Sequence, residues 1–67
     1  MNEFADTLRS KLRARMNELA DEMLAGGCSD YAAYRMFVGK IEGLAEAERY
    51  LLDLDKQLQD ILDDEDA

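Results

Sequence analysis

The stretch YAAYRMFVGKIEGLAEA, residues 31 to 47, decides the fold. Wound at about 100° per residue, its Tyr31, Ala33, Tyr34, Met36, Phe37, Val38, Ile41, Leu44, Ala45 and Ala47, with Gly39 and Gly43, cover most of a helix circumference. Arg35, Glu42 and Glu46 make a narrow polar strip, and Lys40 stands alone on the apolar side. A surface helix usually carries an apolar stripe a little over about 100° wide. This one therefore has surface for at least two neighbours.

One neighbour lies upstream. Phe4, Leu8, Leu12, Met16, Leu19 and Met23 follow one another at spacings of three and four, one face of a helix. Asn2 is placed to cap that helix, with Glu3 and Asp6 near its positive end. Gly26 and Gly27 end it, because glycine takes the left-handed terminal conformation without a side-chain clash. Ser29 or Asp30 caps the next helix, so the connection is short and the two helices lie antiparallel. In the second helix Leu44, Ala47, Leu51, Leu54, Leu58 and Ile61 repeat like a coiled-coil seam. The expected fold is all-α: an antiparallel hairpin with helices over about residues 3–25 and 30–62, forming one domain over 1–62. Asp63, Asp64, Glu65 and Asp66 crowd the helix's negative end, so residues 63–67 are expected to fray as an acidic tail.

The second helix outruns the first by about ten residues, or roughly 15 Å at 1.5 Å per residue. Leu54, Leu58, Ile61 and Leu62 then project beyond intramolecular cover. A 67-residue chain is also short of core and usually needs a staple. Cys28 is the sole cysteine and there is no histidine, which removes an internal disulfide and argues against a zinc site. Self-association remains, most simply a dimer making a four-helix bundle. Phe37, Ile41, Leu44, Leu51, Leu54, Leu58 and Ile61 are the expected interface, with Tyr31, Tyr34 and Tyr50 as further aromatic anchors or core. Gly39 and Gly43, one turn apart, are expected to admit a closely packed helix from the same chain or another.

Charge narrows the function classes. Residues 1–27 carry five acids against four bases, and the remainder eleven against four, so the net charge of −8 belongs to the second half. That field repels nucleic acid and anionic membranes. Arg9 and Arg13 flank the Leu12 seam on one side, Lys11 and Arg15 on the other, so no single basic face forms. These positions suit pairing between helices; with the turn near Gly27, Arg9 comes near Glu46 and Arg13 near Glu42. An RNA-binding hairpin using the four bases is a weaker alternative. The acidic run from Asp53 fails as a calcium loop, because its sixth and twelfth positions are Leu58 and Asp64 rather than glycine and glutamate. Cys28 between Gly27 and Ser29 has no evident base, and Glu42 and Glu46 lack the histidine partners of a di-iron bundle site. No catalytic, cofactor-binding or metal-ligating residue is expected. The charges at Glu3, Asp6, Arg9 and Lys11 break any signal-peptide core, no segment is apolar enough to span a membrane, and the free thiol fits a reducing setting.

The segment Asp30 to Glu48 resembles one in short helical proteins encoded among the head and connector genes of tailed bacteriophages. The likeness rests on Tyr31-x-x-Tyr34-Arg35, on Val38-Gly39-x-Ile41-x-Gly43-Leu44, and on the Ala/Glu-rich stretch after them. It implies a viral origin, a place in virion structure or assembly, and a larger viral structural protein as a further partner, in the virion or the host cytoplasm. The expected function is a non-enzymatic structural or assembly-accessory protein. The alternative is an acidic inhibitor, its carboxylates standing in for phosphates, that occupies a nucleic-acid-binding or host-defence protein.

Overall fold

The computed structural model describes residues 1–65, and in them the chain forms two helices joined by a tight reversal. Helix α1 spans Glu3–Glu22 and helix α2 spans Tyr31–Glu65. Asn2 caps α1, its side-chain oxygen accepting from the Ala5 N–H at 2.8 Å. Of the two candidate caps for α2, Asp30 takes the role, accepting from the Ala33 N–H at 2.8 Å. Two helices and no strand among the described residues make the all-α hairpin.

Between the helices, Met23–Gly27 form one wider, π-type turn, so α1 is regular for a shorter distance than its spacing suggests. Gly26 has φ 91°, the left-handed conformation that ends the helix. Gly27 is required for a different reason: a Cβ there would sit 2.7 Å from the Glu22 carbonyl oxygen and 3.5 Å from Phe37 Cζ. The Phe37 ring therefore packs across a turn that has no room for a side chain.

Helix α2 has 35 residues against 20 in α1. The difference exceeds the expected ten because α1 gives up its last turn and Asp63–Glu65 remain helical, having neither proline nor glycine to stop them. Asp66 and Ala67, the end of the expected acidic tail, lie outside the described residues.

The result is a rod of 56 × 19 × 12 Å with a radius of gyration of 16.3 Å. A compact domain of this length has a radius near about 11 Å. Its core is thin: Ala5, Leu19 and Phe37 are buried, Leu19 most deeply at 1% exposure. Leu12, Met16, Met23, Ile41, Leu44 and Leu51 are half-buried along the same contact. Phe4, expected in the α1 seam, is 78% exposed. Ala5 takes the inward position, because the inward row runs Ala5, Leu8, Leu12, Met16, Leu19, Met23 and leaves Phe4 on a flank.

Candidate association face

Two rows of residues share α2. The inward row is Phe37, Ile41, Leu44, Glu48, Leu51 and Asp55, spaced by three and four and each buried or half-buried. The second row lies roughly 100° round the helix at about 100° per residue: Met36, Gly43, Ala47, Tyr50, Leu54, Leu58 and Ile61. Met36 is 52% exposed, Tyr50 60%, Leu54 63%, Leu58 47% and Ile61 56%. The expected interface thus divides. Leu54, Leu58 and Ile61 stand open, Ile41, Leu44 and Leu51 serve the hairpin contact, and Phe37 is spent inside it. Tyr34 is 44% exposed and tilts against Tyr31, ring centroids 6.2 Å apart, beside the turn rather than in the core.

Gly39 and Gly43 border a groove of about 340 Å³ with Arg15, Leu19, Lys40 and Leu44. A Cβ built on either glycine meets nothing within 4 Å. Helix α1 therefore does not lie over the bare backbone, so of the two expected sources of a closely packed helix the same chain does not supply it. Gly43 belongs to the second row and Gly39 lies on its far side, while α1 follows the inward one.

The predicted ion pairs are also corrected. Arg13 donates from Nε and, at 2.8 Å, from Nη2 to the two oxygens of Glu48, a bidentate fork. Arg9 Nε lies 3.5 Å from Glu48 Oε2. Neither arginine uses Glu42, and Glu46 accepts instead from the Tyr50 hydroxyl. The physical reason is the tilt of helical side chains toward their own N-terminus. In an antiparallel pair, arginine on α1 and glutamate on α2 lean toward each other, so partners stand about one turn apart in backbone level. Glu48 is 7% exposed, and it occupies a position in the inward row that an apolar residue would otherwise hold. Its missed signal was that spacing: the row from Phe37 through Ile41 and Leu44 lands on it.

The hydrogen bond from Arg13 holds the Glu48 carboxyl below its ordinary pKa of 4.5, helped by the charges of Arg13 and Arg9 and opposed by burial. The Glu46 carboxylate raises the Tyr50 phenol above its ordinary 10.0, first by the hydrogen bond and then by its charge. Cys28 is a half-buried free thiol in the connection. Among the described residues no His, Cys, Asp and Glu side chains gather to hold a metal ion. No helix there is long and apolar enough to cross a membrane. Comparison with protein-family models, curated proteins and solved structures finds no match to this chain.

Proposed function

We propose that this protein is a non-enzymatic structural or assembly component that works by helix–helix association, using the outer row of α2 to bind a second copy of itself. The carrying observation is the open row Tyr50, Leu54, Leu58 and Ile61 on a helix that continues far past the end of α1. Its accessible surface is 5195 Å², whereas a compact monomer of 7.6 kDa has about 4,300 Å². The excess, on the order of 900 Å², is close to the ~800 Å² that each partner contributes to a standard protein interface. Covering Leu54, Leu58 and Ile61 would contribute up to roughly 1.5–3 kcal/mol each. A role in a bacteriophage head or connector, in the virion or host cytoplasm and against a larger viral structural protein, is supported by the resemblance of residues 30–48.

Sedimentation equilibrium is the direct test. The native chain is expected to show a mass above that of one copy, and the double variant Leu54→Asp, Leu58→Asp the mass of one copy with its hairpin circular dichroism retained. A native chain that stays single at millimolar concentration rejects self-association.

One observation favours the second reading, that of an acidic inhibitor: Asp53, Asp60, Asp63 and Asp64 are all exposed on or near the projecting end of α2. Salt separates the readings. Apolar association survives molar salt, whereas binding through surface carboxylates weakens steeply.

A further inference from the structure

The outer row is not uniform along its length. After Met36, which opens it, the first half is small, with Gly43 and Ala47 and with Gly39 beside them, and the second half is large, with Leu54, Leu58 and Ile61. The two halves have the same turn-by-turn pitch, and Tyr50 lies where they meet.

Acids are densest past the same place, although Glu42 and Glu46 also stand exposed in the first half. From Asp53 to Glu65 the chain carries six acids against one base, Lys56. The groove beside the small half is bordered by Arg15 and Lys40, and Lys11 stands one turn from Arg15 on the same side of α1. Arg15 is partly engaged by Glu18 at 3.1 Å and Glu22 at 4.0 Å, while Lys11 and Lys40 make no ion pair among the described residues.

We infer that two copies associate through antiparallel α2 helices about a two-fold axis beside Tyr50, the large half of each seated on the small half of the other. Leu58 then lies over the partner's Gly43, and Leu54 over the partner's Ala47. The closing Ile61 comes level with the partner's Lys40, next to the partner's Gly39. This arrangement rests on the self-association proposed above and specifies its geometry. Antiparallel pairing is selected twice over. It places bulky side chains against bare backbone, so that the helices approach closely. It also brings each acidic end to the partner's lysines, whereas parallel pairing would set two six-acid ends side by side. Like charges at that spacing oppose association. The surface available, on the order of 900 Å² per copy above a compact monomer, suffices for a closed dimer without further chains.

Distances between spin labels test the orientation. In a Cys28→Ser background, single variants Arg35→Cys and Gln57→Cys carry nitroxides on exposed positions bordering the outer row. Antiparallel pairing about Tyr50 predicts separations along the axis of about 46 Å for residue 35 and about 20 Å for residue 57, at 1.5 Å per residue. Parallel pairing predicts one short distance at both sites, near the ~10 Å between packed axes. Two distances differing as stated support the inference. Equal short distances, or a longer separation at 57 than at 35, overturn the geometry while leaving self-association standing. A single-copy mass for the native chain, with no dipolar coupling at either site, removes both.

Discussion

The paired part of this hairpin and the projecting end of α2 are built from the same residue types and meet opposite fates. Where α1 lies alongside, Leu19 and Phe37 are buried and even an acid, Glu48, is drawn into the contact at 7% exposure. Past the end of α1, Leu58, Ile61 and Leu62 are between 44% and 56% exposed. Leucine content does not separate the regions; the presence of a second helix does. Helix propensity alone keeps the projecting end helical, since nothing there interrupts the run. Hairpin stability therefore resides in the paired stretch, and the proposed association draws on apolar surface that the hairpin leaves uncovered, which makes the two separable by mutation.

The largest separation is expected from truncating one leucine in each region. Leu19→Ala should cost about 2–5 kcal/mol in urea unfolding, because the gap it leaves opens in the deepest part of the core. Leu58→Ala, at 47% exposure, should leave unfolding of the dilute single chain nearly unchanged and weaken association instead. Equal losses in both variants at low concentration would mean that the two regions form one cooperative core and that the contrast drawn between them is mistaken.

Gly43→Leu sharpens the comparison with a smaller effect of opposite sign. A side chain there meets nothing in its own chain, and leucine exceeds glycine in helix propensity by up to about 1 kcal/mol. The hairpin should be unchanged or slightly more stable in thermal melts at micromolar concentration, while sedimentation shows weaker association as the partner's Leu58 loses its seat. Were both hairpin stability and association to survive, close approach at Gly43 would be excluded.

How far these features were legible follows from which signal each one used. Helix identity, the Asn2 cap and the Gly26 reversal were readable because each depends on residues within four of one another. The split of α2 into two rows was only half readable. A helix apolar on most sides shows that it needs two neighbours, but Leu44 and Leu51 fit both the row facing α1 and the row through Leu54 and Leu58. Phe37, equally suited by spacing to an outer interface, closes the turn against Gly27 instead. The partner of Arg9 lies two residues beyond the expected Glu46 and that of Arg13 six beyond the expected Glu42, because charged groups meet at the ends of side chains that lean toward each other rather than at matched backbone levels.

The smallest expected effect concerns the acid that the paired region has absorbed. Glu48 is held ionised by Arg13 and Arg9, so its pKa in the folded chain lies below its ordinary 4.5. For a group whose folded value is depressed, the stabilisation is complete above the unfolded value and is lost as pH falls through the folded one. Glu48→Gln keeps the shape and removes that charge. The native chain should therefore exceed the variant in stability at pH 6, and the gap should close progressively below about pH 4.5. Taking the difference between the two proteins cancels the titration of the fifteen other acids, most of which face water in both. A gap at Glu48 that persisted unchanged to pH 2 would show that the carboxylate's charge contributes nothing to the hairpin, and that the arginine fork merely fills space in the seam.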